Sequence, residues 1–300
     1  MTGVHLIRLR AASVVAVLAI TAGTATAAVP GFSTGPSVPL KMRPAIVAGL
    51  IGKANASRQQ ATIMHWTING VERDALVFAP HATQGVAKRP LVIAFHGHGG
   101  HMLTTAVRMH IHRLWPQAIV VYPQGLNTPT MLDPAGTRSG WQGKAGEVGN
   151  RDLKLFDAIV ATMQQSYLVD RRRIYATGFS NGAVFSLLLW AKRAKTIAAI
   201  GEVAGRLDPS ETLTSPRALL AVAGRSDTVA PFAVQQQTIQ RARQINRASG
   251  AGNPCGQYCT YYPSTNGPVP VKTFIHPGGH VYPTWASTEI VKFLKSHKQP

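Results

Sequence analysis

A serine flanked by glycines is the first feature of the sequence that could do chemistry. The segment Gly178-Phe179-Ser180-Asn181-Gly182 has the pattern G-x-S-x-G. Between a strand and a helix, this pattern exposes the serine hydroxyl on a sharp turn. An apolar run precedes the segment and a helical pattern follows it, so the context favours a nucleophile at Ser180. The alternative is a serine that only caps the following helix.

A serine hydroxyl needs a base, held in place by an acid, to attack near neutral pH. In a strand-turn-helix arrangement of this kind, the chain order is serine, acid, histidine. Three histidines follow Ser180: His276, His280 and His297. We predict that His280 is the base because it follows a Pro-Gly-Gly turn, whereas His276 ends a strand-like run and His297 is in a basic tail.

Acidic residues are scarce between the serine and the histidine, which narrows the choice of the acid. The candidates are Glu202, Asp208, Glu211 and Asp227. We predict Asp227, because it comes just after the end of a strand-like run and could fix the imidazole tautomer. Glu202 is inside a predicted strand, and Asp208 precedes a proline and could cap the next segment. Asp227 could alternatively serve in an Asx turn.

A second glycine-rich stretch occupies the place where an oxyanion-hole loop belongs. Residues 96–100 read His-Gly-His-Gly-Gly and follow an early apolar run. We predict that the oxyanion donors are the backbone N–H of Asn181 and that of either His98 or Gly99. The histidines between positions 96 and 112 also invite a metal site. No H-E-x-x-H or similar ligand frame is present, so we predict neither metal nor cofactor.

Strand-like and helical segments alternate along the chain. Asn69-Gly70 between two strand-like runs predicts an antiparallel hairpin. Apolar runs predict strands at 90–95, 118–122, 174–179, 197–203, 218–223 and 271–275. Helical spacing predicts helices at 152–167, 181–192, 234–247 and 287–296. The predicted class is α/β, with a mostly parallel sheet, flanking helices and the hairpin at one edge. Only about twenty residues separate the strand ending near 205 from Asp227, which leaves no room for a large cap domain.

Composition indicates one large globular domain with a basic surface. Hydrophobic residues make up 45% of the 300 residues, and the formal net charge is +19. A positive field favours anionic partners, but the basic residues are scattered and no nucleic-acid-binding motif is present. We therefore predict no nucleic-acid partner. The two cysteines, Cys255 and Cys259, predict a local disulfide in an oxidising compartment.

The N-terminal segment has the pattern of an export signal. Arg8 and Arg10 precede a short apolar run, and small residues with an A-x-A site follow it. We predict a signal peptide at 1–27, a leader at 28–60 and a catalytic domain at 61–300. The apolar run is too short for a spanning helix, so a secreted or periplasmic protein without a stable membrane anchor is expected.

The residues discussed above are similar to those of a known family. The segment from about Arg73 to Trp285 resembles the extracellular polyhydroxybutyrate depolymerase and feruloyl esterase group of α/β-hydrolases. The matching features are His96-Gly97, Tyr122-Pro123, Gly140-Trp141-Gln142, Arg151-Asp152, Val169-Asp170, Arg173-Ile174-Tyr175, Gly178 to Gly182, Asp227 and Gly278-Gly279-His280. This resemblance implies the α/β-hydrolase fold, a triad of Ser180, Asp227 and His280, and a carboxylic-ester substrate that is often attached to a polymer.

Two positions depart from the family pattern near the expected substrate pocket. His98 replaces a common cysteine, and Tyr282 replaces a usual tryptophan. Both would border the oxyanion loop or the substrate pocket, and Trp141 is predicted either to line the same cleft or to pack in the core.

Three functions are compatible with the sequence. The first is a secreted serine carboxylesterase acting through an acyl-enzyme on a polyester, a feruloylated or acetylated polysaccharide, or a simple ester. The second is a non-catalytic binding protein for acidic polymers on the same scaffold. The third is a serine peptidase, because the same triad cleaves amides.

Overall fold

The computed structural model describes residues 59–80 and 88–299. The predicted signal peptide and most of the predicted leader lie outside these residues. The twelve strands are β1 (Gln59–Ile68), β2 (Val71–Pro80), β3 (Arg89–Phe95), β4 (Ile119–Pro123), β5 (Leu126–Asn127), β6 (Ser139–Gly140), β7 (Val169–Phe179), β8 (Ala199–Val203), β9 (Ala218–Gly224), β10 (Asn253–Gly256), β11 (Cys259–Tyr262) and β12 (Val271–His276). The helices are α1 (Met102–Met109), α2 (Ile111–Leu114), α3 (Arg151–Ser166), α4 (Asn181–Arg193), α5 (Phe232–Ile245) and α6 (Ala286–Lys295), with a 3-10 turn at Glu147–Asn150.

Ten of the strands form one sheet in the order β1-β2-β4-β3-β7-β8-β9-β12-β11-β10. The six central strands, from β4 to β12, are mutually parallel. The predicted N-terminal hairpin, β1 with β2, adds antiparallel strands at one edge. The mostly parallel α/β sheet is therefore confirmed. The antiparallel pair β10 and β11 at the other edge is a feature that the sequence did not predict.

Both faces of the sheet are buried, which explains the nearly continuous apolar runs of the central strands. In β3, Leu91, Ile93 and Phe95 pack into one core with α3, α4 and α5. Val92 and Ala94, which point the other way, pack into a second core with α1, α2 and α6. Side chains alternate across a strand, so one apolar run contributes to both cores. The sheet is thereby fixed between two helical layers.

Strand direction places the functional segments at the same end of the parallel strands. Strands β3, β7, β9 and β12 run parallel, so the residues that follow them meet at their shared carboxyl ends. Between β8 and β9 the chain forms only the connection 204–217, in agreement with the expected absence of a large cap. None of the helices in 59–80 and 88–299 is long and apolar enough to cross a membrane.

The predicted disulfide is present. Cys255 and Cys259 are bonded, with their Cα atoms 5.0 Å apart. The bridge closes the tight connection between β10 and β11, and its second cysteine is buried. The disulfide therefore constrains the antiparallel edge that lies farthest from the N-terminal hairpin.

Candidate active site

Ser180 lies on a strained turn between β7 and α4. Its backbone has φ 54° and ψ −121°, a conformation that non-glycine residues adopt only when the surroundings enforce it. Two glycines allow the close approach that this turn requires. A Cβ at Gly178 would lie 2.2 Å from the carbonyl oxygen of Gly182, and a Cβ at Gly182 would lie 2.4 Å from that of Phe95. The G-x-S-x-G pattern therefore has a steric reason in this structure.

The structure brings together the three residues predicted as a triad. Nε2 of His280 lies 2.8 Å from Oγ of Ser180. Nδ1 of the same ring lies 2.8 Å from Oδ2 of Asp227. These residues follow β7, β9 and β12, so three separate strand ends supply one hydrogen-bonded chain. The geometry suits transfer of the serine proton to the imidazole, with the carboxylate orienting the ring.

Asp227 is buried and held by several donors besides the histidine. Its Oδ1 accepts the backbone N–H groups of Val229 at 2.9 Å and Ala230 at 2.8 Å. Nε2 of Gln235, on α5, donates to Oδ2 at 2.9 Å. Gln235 was not among the site residues predicted from the sequence. The feature that could have identified Gln235 is a polar residue on the buried face of the predicted helix 234–247.

The rejected candidates have other partners. The ring of His276 accepts the N–H of Gly278 at 3.1 Å, and burial lowers its pKa although Asp227 opposes the shift. Asp208 accepts the N–H of Ser210, and Glu211 pairs with Lys192. Burial raises the pKa of Glu202 to about 8, against a hydrogen bond from the Gly205 backbone. None of these four groups is hydrogen-bonded to the Ser180 hydroxyl, whose partner is His280.

The two candidate donors of the oxyanion loop are not equivalent. The N–H of Gly99 donates to the carbonyl of Ser139 at 2.6 Å, so it is not free to bind substrate. The N–H groups of His98 and Asn181 have no acceptor among the hydrogen bonds of the described residues. The Gly99 alternative is therefore corrected, and His98 is the better candidate beside Asn181.

The loop histidines are held by protein groups. His96 accepts the N–H of Gly125 at 2.9 Å and contacts the Gly97 carbonyl at 2.7 Å, and burial lowers its pKa to about 4. Nε2 of His98 lies 3.0 Å from Asp133. Partial burial would raise the pKa of Asp133, but hydrogen bonds from Thr137, His98 and Arg138 outweigh it and lower the pKa to about 2. A neutral His96 thus fixes the loop, and an ionised Asp133 anchors it.

The prediction that Trp141 lines the substrate cleft is wrong. Its side chain is 0% exposed and packs against Phe95 and Phe185. Its indole N–H donates to the His96 carbonyl at 2.9 Å, so both its apolar ring and its polar atom are satisfied in the core. The core-packing alternative is the correct one. Trp141 influences the site through its backbone, which pairs with the Asn181 side chain.

Tyr282 lies beside the triad. It is half-buried, and its ring packs edge-on against Phe179 with centroids 5.8 Å apart. Its hydroxyl lies 2.8 Å from Oγ of Ser287, and burial raises its pKa. Phe179 in turn lies 5.1 Å from the His280 ring. These two aromatic rings therefore form an apolar wall next to the imidazole.

A buried network supports the segment that carries Trp141. Oδ1 of Asp152 pairs with Arg73 at 2.9 Å, and both side chains are fully buried. Oδ2 of Asp152 accepts the N–H of Gln142 at 2.9 Å. The side-chain oxygen of Gln142 accepts the N–H of Asp152 in return. The network ties β2, α3 and the segment that follows β6 to one another.

The chain is similar to known esterases. No protein-family model matches it. It is 29% identical over 170 residues to the "Probable feruloyl esterase C" of Aspergillus flavus, covering 55% of this chain and 60% of that protein. It is 31% identical over 125 residues to feruloyl esterase D of Neurospora crassa, covering 41% of this chain and 38% of that protein. The matches thus span less than two thirds of each relative's length.

A solved structure extends the likeness to most of the fold. The CE1 ferulic acid esterase of Anaeromyces mucronatus, solved in complex with ferulic acid, covers 80% of this chain and 90% of its own. The TM-score is 0.53 at 16% identity, a level at which the similarity concerns the fold. The central parallel sheet, the serine on its strand-turn-helix and the structural likeness show that the chain has the α/β-hydrolase fold, and feruloyl esterases are among the proteins to which its sequence is similar.

Proposed function

We propose that the chain is a serine carboxylesterase that uses Ser180, His280 and Asp227. The observation that carries the proposal is the pair of 2.8 Å contacts that His280 makes with Ser180 and Asp227. The strained backbone of Ser180 adds support, because strain of this kind is concentrated at functional sites. A non-catalytic binding protein would have no need for this arrangement.

In the proposed reaction, Oγ of Ser180 attacks the ester carbonyl carbon while Nε2 of His280 takes the hydroxyl proton. The carbonyl oxygen becomes an oxyanion bound by the N–H groups of Asn181 and His98. His280 then gives its proton to the departing alkoxide, leaving an acyl group on Ser180. Water repeats the sequence, with His280 again as base, and releases the carboxylic acid and the free serine.

The proposed substrate class is an ester of a phenolic or acetyl group on a polysaccharide. The relatives named as feruloyl esterases support it. Exposed apolar side chains on the loops that carry Asp133, Asp227 and His280 also suit a bulky ester. Met131 and Leu132 precede Asp133, Val229 contacts Asp227 through its backbone, and Val281 follows His280. A polyhydroxyalkanoate is the second substrate class to test, on the motif resemblance described above. Export by the predicted signal peptide is part of the proposal.

Covalent labelling tests the catalytic assignment. The mature protein is treated with a fluorophosphonate, and the modified residue is located by mass spectrometry beside assays with p-nitrophenyl acetate and butyrate. We expect one adduct on Ser180, turnover of both esters, and loss of both in Ser180→Ala. Turnover that persists in Ser180→Ala would overturn the assignment. Folded protein with neither adduct nor turnover would favour the binding-protein alternative.

The substrate class is tested with the same preparation. Methyl ferulate, acetylated xylan, a polyhydroxybutyrate suspension and a p-nitroanilide peptide are compared as substrates. We expect the highest kcat/KM on methyl ferulate or acetylated xylan. Preferential release of hydroxybutyrate would replace the polysaccharide-ester assignment with a polyester one, and amide cleavage at comparable kcat/KM would indicate a peptidase.

A further inference from the structure

We propose that Arg108 forms an anion-binding subsite beside the triad, so that esters carrying a carboxylate near the scissile bond are favoured substrates. The proposal rests on the esterase function proposed above and narrows its substrate class. The juxtaposition behind it is an exposed, unneutralised guanidinium over the aromatic residue that directly precedes Ser180.

Arg108 and the catalytic imidazole have Phe179 as a common neighbour. The guanidinium carbon lies 5.9 Å from the centroid of the Phe179 ring. That ring lies 5.1 Å from the centroid of the His280 ring. The two distances place the charge within about 11 Å of the catalytic imidazole, a separation comparable to the Debye length of about 10 Å at 0.1 M salt. A substrate that reacts at Ser180 therefore passes within reach of Arg108.

Within residues 59–80 and 88–299, no carboxylate side chain neutralises Arg108. All twelve acidic residues of the chain lie in the described residues, and each has partners other than Arg108. These residues are Glu72, Asp74, Asp133, Glu147, Asp152, Asp157, Asp170, Glu202, Asp208, Glu211, Asp227 and Glu289. Since none of these side chains pairs with the exposed guanidinium, Arg108 is available to bind an anion on the substrate.

The surroundings of Arg108 combine charge with apolar surface. Val107 and Val281 are each about half exposed, at 55% and 49%, and stand next to Arg108 and His280 in the chain. The Phe179 ring is a neighbour of both the guanidinium and the imidazole. A short apolar spacer could therefore lie along Phe179 while its terminal carboxylate pairs with Arg108. This arrangement matches a dicarboxylic half-ester or an ester whose alcohol part bears a carboxylate.

Paired substrates test the subsite in the full mature protein. On the acyl side, p-nitrophenyl hemiadipate is compared with p-nitrophenyl hexanoate. On the alcohol side, 4-carboxyphenyl butyrate is compared with 4-methylphenyl butyrate. The measured quantity is the ratio of kcat/KM for the anionic ester to that for its neutral partner. The variants are Arg108→Gln and Arg108→Lys. Arg171→Gln is the matched control, since Arg171 is an exposed arginine near the start of β7, at the end of this strand opposite to Ser180.

We expect the ratio for at least one pair to fall about two- to fivefold in Arg108→Gln, mostly through KM, the size expected for a solvent-exposed ion pair. Arg108→Lys should retain part of the ratio, Arg171→Gln should retain all of it, and added NaCl should lower it in the wild type. An unchanged ratio for both pairs in Arg108→Gln would overturn the subsite while leaving the esterase function intact. Failure of the wild type to hydrolyse the neutral esters would instead refute the esterase function itself.

Discussion

The side-chain amide of Asn181 pairs with both backbone groups of Trp141. Its Oδ1 accepts the Trp141 N–H at 2.7 Å, and its Nδ2 donates to the Trp141 carbonyl at 2.9 Å. Asn181 is also the residue after the nucleophile, and its backbone N–H is a proposed oxyanion donor. The proposed oxyanion donor is thus held in place by a segment anchored in the hydrophobic core.

Replacing Asn181 should impair the chemical step more than binding. In Asn181→Ala the backbone N–H remains but loses its anchor, so we expect kcat to fall about tenfold, less than the loss on removing a donor outright. In Asn181→Asp a carboxylate would face the Trp141 carbonyl and add negative charge near the oxyanion, so the fall should exceed that of the alanine variant. Steady-state kinetics on p-nitrophenyl butyrate measures both. Equal kcat in all three proteins would show that the pairing has no role in catalysis.

Asp227 should be far more important than the residue that supports it. Asp227→Asn keeps the shape but favours the wrong imidazole tautomer, and we expect kcat to fall about 10³- to 10⁴-fold. Gln235→Ala removes only one of four donors to this carboxylate and should lower kcat less than tenfold. The same p-nitrophenyl butyrate assay is used, with circular dichroism to verify folding. If Asp227→Asn loses no more activity than Gln235→Ala, another residue must orient His280.

The buried pair of Arg73 and Asp152 should contribute strongly to stability once either partner is removed. Two of the Arg73 guanidinium nitrogens already lack partners among the described residues. Asp152→Ala would leave the buried Arg73 charge without its carboxylate partner, and we expect a loss of about 3–5 kcal/mol in the free energy of unfolding. The measurement is urea denaturation. The double variant Arg73→Met/Asp152→Ala buries neither charge and should recover part of that loss. If its loss of unfolding free energy equals the sum of the losses in Arg73→Met and Asp152→Ala, the two side chains do not stabilise each other.

The central elements were predictable because they obey simple periodicities. Helix 181–192 was predicted within one residue of its observed end at Arg193, since its apolar residues follow the helical period and a glycine turn marks its start. Strand 218–223 was equally clear as a short, fully apolar run. Chain order then left few choices for the base and the acid. The spatial meeting of Ser180, Asp227 and His280 follows from parallel strands that end at one edge.

Features without a local signal were missed. Helix α1 is short, and its start is capped by the His101 side chain, which accepts the Leu103 N–H; a histidine is not a usual capping residue. Strands β10 and β11 have only four residues each. They are held in the sheet by the pairing of β11 with β12 and by the disulfide between β10 and β11, so their own sequence does not indicate strands. Trp141 was ambiguous because burial of a large aromatic ring depends on tertiary packing against Phe95 and Phe185.

Glu202 should make the protein less stable as the pH rises. Its carboxyl group is buried in β8, and burial raises the pKa to about 8, well above that of an unfolded glutamate. The folded state therefore binds more protons than the unfolded state between about pH 4.5 and pH 8. The contribution of the neutral Glu202 carboxyl group to the free energy of unfolding is fully present below about pH 4.5. It is lost progressively up to about pH 8, by at most about 1.4 kcal/mol per pH unit.

Glu202→Gln isolates this contribution, because the amide oxygen can still accept the Gly205 N–H but does not ionise. The free energy of unfolding of both proteins is measured by urea denaturation at several pH values from 5 to 8.5. We expect the difference, variant minus wild type, to grow with pH across this window and to level off above about pH 8. A difference that is the same at every pH would mean that Glu202 has the same ionisation state in the folded and unfolded protein, contrary to its burial.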